Sequence, residues 1–176
     1  MWYRIGIILL VAGFSGCASV GGGVQDEASL AAHLKQHRID GHTLVILDQA
    51  VARKFTSLPF VVVADAGHRF VWKHEGHTSG IGRELEQGVW VYRPARASKL
   101  PLWPLKTPAG KRAGWKDFPE AEFVVFVFWN LRCSMCPGLI ADLQDYARAR
   151  KPGKFALVLV DCDPFSFGEK PKATGS

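Results

Sequence analysis

The chain has 176 residues, of which 48% are hydrophobic and 22% charged. This composition argues against an intrinsically disordered protein and supplies enough apolar surface for one globular domain with its own core. The formal net charge of +6 is modest, and no part of the sequence indicates a nucleic-acid partner.

Residues 1–16 form a segment with the character of an export signal. A single cation, Arg4, precedes an apolar run over residues 5–14, and Ser15, Gly16 and Cys17 follow. The apolar run has about half of the roughly 20 residues that a membrane-spanning helix needs, so an export signal is favoured over a spanning anchor. Phe14 to Cys17 resembles a bacterial lipobox, with Phe14 in the place of the usual Leu. The resemblance implies cleavage before Cys17 and lipidation of its thiol, whereas an ordinary cleaved signal would remove Cys17.

A lipidated Cys17 would hold the mature protein to a membrane through its acyl chains. Residues 17–25 are small and Gly-rich, which predicts a flexible tether. Ala18, which follows the cysteine, suggests the outer membrane of a Gram-negative cell. The expected location is therefore the bacterial cell envelope, with the domain facing the periplasm.

The first half of the domain is predicted over residues 26–92. The pattern indicates a helix that begins near Asp26, a strand over residues 43–47 and a second helix over residues 49–55. Residues 60–64 and 69–74 flank Asp65-Ala66-Gly67, a turn signal, and predict a β-hairpin. A short helix within residues 76–86 and a strand over residues 89–92 complete this half.

Residues 93–120 are predicted to form a long irregular connection because they contain five prolines. Seven cations lie in this connection with no acid between them: Arg93, Arg96, Lys99, Lys106, Lys111, Arg112 and Lys116. These cations could contact lipid headgroups or an acidic partner, and the alternative is a solvated linker.

The second half is predicted over residues 121–165, followed by a flexible tail over residues 166–176. Residues 123–129 are apolar on both alternating faces, which is typical of a central strand covered by helices on each side. A helix is expected over residues 138–150 and another buried strand over residues 155–160.

Cys133 and Cys136 lie between the central strand and this helix. Thiols three residues apart can close a disulfide, and the first faces the helix N-terminus, where amide groups and the helix dipole stabilise a thiolate. Because only the thiolate attacks, Cys133 is predicted as the nucleophile and Cys136 as the resolving thiol. A structural disulfide is one alternative. A metal site that uses Cys133, Cys136, Cys162 and a histidine is another.

The strand, the C-x-x-C motif, the helix and the strand that ends in Val160-Asp161 resemble the central βαβ unit of the thioredoxin superfamily. Phe128-Trp129 before the motif makes the chain most similar to membrane-tethered thiol-disulfide oxidoreductases of the bacterial envelope. Two positions depart from that family. Arg132 stands where a Trp usually precedes the first cysteine, and Val127 stands where many members bury an acid that moves a proton.

Members of this family carry a cis-proline loop, a hairpin and a helix after the βαβ unit, but only 14 residues follow Cys162. Residues 52–76 resemble that missing half, which implies a circularly permuted thioredoxin-like fold with three α/β/α layers and a mixed central sheet. The resemblance then makes Pro59 the cis-proline and Leu58 its apolar neighbour, and both would present backbone to an extended substrate beside Cys133.

The sequence thus leads us to expect an envelope lipoprotein that exchanges disulfides with protein clients and needs neither cofactor nor metal. Such domains also serve dedicated machines, so a secretion or conjugation apparatus is a further expected partner. Two alternatives are a binding or assembly module without redox cycling and a cysteine-based metallochaperone.

Overall fold

The computed structural model describes residues 27–39, 43–53, 55 and 57–162. The export signal, Cys17, the tether and the C-terminal tail predicted from sequence lie outside these residues. None of the helices in the described part combines the length and the apolar character needed to cross a bilayer.

Four α-helices and seven strands form in the described residues. The helices are α1 (Glu27–Gln36), α2 (Gln49–Ala52), α3 (Ile81–Val91) and α4 (Cys136–Arg148). The strands are β1 (Thr43–Leu47), β2 (Phe60–Asp65), β3 (Phe70–Glu75), β4 (Leu105–Lys106), β5 (Arg112–Ala113), β6 (Phe123–Trp129) and β7 (Phe155–Asp161). The predicted first strand and the predicted hairpin are confirmed.

All seven strands belong to one mixed sheet in the order β3-β2-β6-β7-β1-β4-β5. Strands β6, β7 and β1 are parallel, whereas β2 is antiparallel to both β3 and β6. The hairpin from the first half of the chain therefore lies directly beside the strand that leads to the cysteines. The fold class is mixed α/β, as predicted.

The sheet buries apolar side chains on both faces, which explains why β6 has no polar residue. On one face, here called the helix-covered face, Val125, Val127 and Trp129 pack with buried residues of α1, α3 and α4. On the other, here called the aromatic face, Phe126 and Phe128 pack with α2 and with residues 100–118. All seven side chains of β6 are buried.

Helices lie on both sides of β6 as predicted, but on the aromatic face the described residues supply only the short α2, and residues 100–118 provide most of the cover. Residues 93–120 form no α-helix there, because prolines at positions 101, 104 and 108 interrupt any helix. The connection was predicted to be irregular throughout, but it also contributes β4, β5 and two 3-10 turns. The connection inserts large side chains there: the Trp103 ring meets Phe128 edge-on with centroids 4.6 Å apart, and Leu105 is 1% exposed. The apolar side chains of residues 100–118 are thus packed on the sheet, whereas the seven cations of the connection are exposed.

The predicted strand over residues 89–92 is also wrong, because α3 continues to Val91. Ile81, Leu85 and Gly88 recur at helical spacing and form its buried side. Gly88 is required there, since a Cβ at this position would lie 2.5 Å from the ring of Trp72. Tertiary packing against β3 therefore decides the structure of this segment, although Val89 to Tyr92 alone has a strand-like composition.

Candidate functional site

The two cysteines lie where β6 ends and α4 begins. Their sulfurs are 2.09 Å apart and their Cα atoms 5.4 Å apart, so Cys133 and Cys136 form a disulfide. The connecting loop is held by its own backbone, because the Cys133 amide donates to the Asn130 carbonyl at 3.2 Å. The Cys136 amide then donates to the Cys133 carbonyl at 3.1 Å. This turn places both sulfurs at the first turn of α4.

The two sulfurs differ in their access to solvent. Cys136 is 0% exposed and belongs to the apolar core of the helix-covered face, whereas Cys133 is only partly buried against that core. Cys133 is therefore accessible to another molecule, whereas Cys136 is not. Met135, between them, is 50% exposed and provides an apolar surface beside the accessible sulfur.

The Leu58–Pro59 loop lies at the same end of the sheet as the disulfide. The peptide bond between these residues is cis, as the resemblance implies. Phe60 pairs with Phe128, so Pro59 lies one register position further on, at the level of Trp129. The Pro59 carbonyl accepts a hydrogen bond from the Gly76 amide at 2.8 Å, which fixes the loop to the end of β3. Leu58 is partly buried and packs against the same core as Cys133.

The acid expected at position 127 is absent, but a buried carboxyl occurs on a neighbouring strand. Val127 is 0% exposed, and Asp161 at the end of β7 is 1% exposed. Asp161 pairs in register with Trp129. Because side chains alternate along a strand, Asp161 lies on the same face as Leu159, which is the helix-covered face. Sequence analysis placed Asp161 only at a strand end and did not identify it as buried.

Two histidines approach the site, and neither was assigned to it from the sequence. The ring of His33 in α1 stacks on Trp129 with centroids 6.0 Å apart. Burial lowers the pKa of His33, and the neighbouring His37 lowers it further. His77 Nε2 lies 3.8 Å from the position that a Cβ would occupy at Gly138, in the first turn of α4. The i,i+4 spacing places His33 and His37 on one face of α1, but the spacing does not indicate what that face covers.

Cys162 lies on the aromatic face, on the other side of the sheet from Cys136. It is 3% exposed, and its thiol donates to the Val160 carbonyl at 3.6 Å. Burial, together with the charge of the neighbouring Asp161, raises the pKa of the Cys162 thiol to about 12. A neutral, buried thiol on the opposite face cannot join the Cys133–Cys136 pair without a large rearrangement.

The described residues contain no group of three or more His, Cys, Asp or Glu side chains placed to hold a metal ion. Because Cys162 lies on the other face of the sheet, it cannot bind one metal ion together with Cys133 and Cys136, which was the alternative drawn from the sequence. What the site can do chemically therefore depends on Cys133 and Cys136. No protein-family model matches the chain, and no curated protein or solved structure is significantly similar to it.

Proposed function

We propose that this protein is a thiol-disulfide oxidoreductase of the bacterial envelope, with a circularly permuted thioredoxin-like fold. The observation that carries the proposal is the Cys133–Cys136 disulfide at the N-terminus of α4, with one sulfur accessible and the other buried. A disulfide over such a short loop constrains the unfolded chain little, so stabilisation of the fold is a weak reason for its presence.

The topology supports the proposed permutation. The β6-α4-β7 unit carries the cysteines, and the β2-β3 hairpin lies antiparallel to β6 and is followed by α3. In the thioredoxin family the hairpin and its helix follow the βαβ unit, whereas here they precede it. Residues 93–120 then join the two halves across the aromatic face, where they take the place of a helical layer.

The proposed exchange begins with the thiolate of Cys133 in the reduced protein. It attacks one sulfur of a client disulfide and forms a mixed disulfide, and the other client sulfur leaves as a thiolate that takes up a proton. The Cys136 thiol then loses its proton and attacks Cys133 Sγ, which releases the second client thiol. Two electrons pass to the client, and the Cys133–Cys136 disulfide forms. Oxidation of a client dithiol follows the same steps in reverse.

Client selection is proposed to use the surface around Cys133. Leu58 and Pro59 would present backbone to an extended client segment, and Met135 would contact its apolar side chains. The absence of an acid at position 127 and the presence of Arg132 distinguish the site from that of an efficient thioredoxin-like reductase. The proposed clients are extracytoplasmic proteins, including parts of a secretion or conjugation apparatus, and the proposed anchor is a lipid on Cys17.

A redox titration tests the proposed exchange. The protein is equilibrated with mixtures of reduced and oxidised dithiothreitol, and free thiols are counted by alkylation. We expect one reversible two-electron midpoint, unchanged by Cys162→Ala and absent from Cys133→Ala. In cells, Cys136→Ala is expected to accumulate mixed disulfides with clients because the resolving thiol is missing.

The same measurements separate the two alternative functions. A Cys133–Cys136 pair that never cycles, with no mixed disulfide trapped by Cys136→Ala, would indicate a binding or assembly module. Stoichiometric Cu⁺ or Zn²⁺ that is lost in Cys133→Ala would indicate a metallochaperone. Either result contradicts the proposed exchange.

A further inference from the structure

The end of the molecule opposite the disulfide carries an exposed apolar pair. Trp90 is 79% and Val91 60% exposed, at the C-terminal end of α3. Exposed tryptophan is unusual on a soluble domain, and its amphipathic ring favours the interface between water and lipid headgroups. Neither side chain contributes to the cores on the two faces of the sheet.

Cations are fixed close to this apolar pair by the backbone. Arg93 Nη1 donates to the carbonyls of Trp90 at 3.3 Å and Tyr92 at 3.1 Å, which holds its guanidinium at the end of α3. Arg96 follows in a 3-10 turn, with its amide 3.0 Å from the Arg93 carbonyl. The backbone of Lys99 forms an antiparallel β-bridge with that of Arg69, just before β3 begins. Arg93, Arg96 and Lys99 are all exposed.

The segment that carries these cations has no acidic side chain of its own. Residues 87–116 contain no Asp or Glu. Glu86, one turn before Trp90 on α3, accepts a salt bridge from Arg150 Nη2 at 3.0 Å. Asp65, which contacts Tyr92, is likewise paired with Arg69. An apolar pair beside exposed arginine and lysine complements an anionic membrane surface, because lipid phosphates pair with the cations and the headgroup region gives Trp90 and Val91 an apolar environment. A purely acidic protein surface would supply the charge without that environment.

From this arrangement we infer that Trp90, Val91, Arg93, Arg96 and Lys99 form a membrane-docking patch for anionic phospholipid. The apolar pair enters the headgroup region, and the three cations contact lipid phosphates. This contact is independent of the proposed lipid on Cys17, and it goes beyond the proposed exchange activity because it orients the domain.

The orientation follows from the direction of the strands. Gly76 contacts Pro59 at the disulfide end of the hairpin, whereas the Tyr92 hydroxyl donates to Asp65 at its other end. The five steps along β2 between Phe60 and Asp65 span about 17 Å. A domain docked through the patch therefore directs Cys133 away from the membrane, toward soluble clients.

Binding to vesicles tests the patch. The full chain carrying Cys17→Ala, which has no acylation site, is mixed with phosphatidylethanolamine vesicles that contain or lack phosphatidylglycerol. We expect binding that needs phosphatidylglycerol and weakens with salt. Arg93→Gln with Arg96→Gln should weaken binding about twenty-five-fold, since each basic side chain near such a surface contributes about fivefold. Trp90→Ala should weaken it at least about tenfold.

The matched control is Lys111→Gln with Arg112→Gln, which removes the same charge from the opposite edge of the sheet, about 29 Å away across six strand spacings. Every variant has the same N-terminus, so any contribution of residues 1–25 to vesicle binding cancels.

Brominated phosphatidylglycerol, which quenches nearby tryptophan, should quench the fluorescence of the parent chain and much less that of Trp90→Phe. Equal losses in the control pair, equal binding to neutral vesicles, or full binding by Trp90→Ala would overturn the inference.

Discussion

The two faces of the sheet each bury a cysteine, and the comparison shows why only one of these two cysteines forms a disulfide. Cys136 is 0% and Cys162 3% exposed, so burial does not distinguish them. Cys136 begins a helix and has a sulfur partner three residues away, whereas Cys162 follows a strand, packs among apolar side chains and donates to a carbonyl. The backbone around each sulfur, and not its depth, therefore determines which buried cysteine forms a disulfide, and the proposed exchange uses the helix-covered face.

The largest expected effect is on the free energy of unfolding. It measures whether packing on the aromatic face stabilises the protein as much as packing on the helix-covered face. The ring of Phe126 meets those of Trp103, Trp115 and Phe118, all within 5.6 Å between centroids. Phe126→Ala removes these contacts and should lower the free energy of unfolding by about 3–5 kcal/mol in urea denaturation.

Leu139→Ala is the matched change on the helix-covered face, where Leu139 is 0% exposed. It should cost about 2–5 kcal/mol. A much smaller loss for Phe126→Ala than for Leu139→Ala would mean that residues 93–120 are loosely attached, and the comparison between the faces would fail.

The next effect concerns the reactivity of Cys162. A thiol with a pKa of about 12 is ionised in about one molecule in ten thousand at pH 8. We expect iodoacetamide to react with Cys162 in the folded, oxidised protein about a thousandfold more slowly than with an ordinary exposed thiol. Urea should restore the ordinary rate. Rapid alkylation of the folded protein would show that Cys162 is accessible, and it would then be a candidate redox partner.

The sequence sufficed to predict most of the elements around the disulfide, and physical reasons explain the exceptions. Residues 60–64 are apolar throughout and residues 69–74 alternate, with a turn signal between them, and Phe123 to Trp129 is apolar throughout. The hairpin and the central strand were therefore predicted correctly. The extent of α3 depends on contact between Gly88 and Trp72, which no local pattern reveals. The packing of residues 93–120 was missed because prolines indicate irregular backbone without indicating whether it is buried.

The site shows the same division between local and long-range information. Cys133 and Cys136 were identified from their spacing and from the strand-to-helix junction. The positions of Asp161, His33 and His77 depend on pairing between distant strands and helices, for which the sequence gives no signal. The cis peptide before Pro59 was expected only through the family resemblance.

Two glycines on the helix-covered face should respond in opposite directions to the same substitution. A Cβ at Gly88 would lie 2.5 Å from Trp72, whereas at Gly138 the nearest atom would be 3.8 Å away. Gly88→Ala should therefore destabilise the protein by about 1–3 kcal/mol through overpacking. Gly138→Ala should stabilise it by up to about 1 kcal/mol, because alanine favours helix. Thermal denaturation of both variants measures the difference, and a stabilised Gly88→Ala protein would contradict the close packing of α3 on β3.

The smallest expected effect is on the pH dependence of stability, and it concerns Asp65, at the end of the hairpin opposite the disulfide. Burial alone would raise the pKa of Asp65, but hydrogen bonds from Tyr92 and Arg69 outweigh it and lower that pKa. A lowered folded-state pKa means that Asp65 stabilises the protein above its unfolded pKa of about 3.9, and that this contribution is lost as the pH falls through the folded value. The Tyr92 hydroxyl remains a donor throughout, because burial and Asp65 raise the pKa of Tyr92 to about 12.

Tyr92→Phe removes the donor and should cost about 1.5 kcal/mol at pH 7. The penalty should shrink below pH 4, because a protonated Asp65 gains less from the hydrogen bond. Urea denaturation at both pH values measures it, and Asp65→Asn is the control background, in which Tyr92→Phe should lose its pH dependence. An equal penalty at pH 7 and pH 3 would show that the Tyr92 hydroxyl does not act through the charge of Asp65. The contact between Tyr92 and the hairpin, which positions the proposed docking patch, would then not depend on the charge of Asp65.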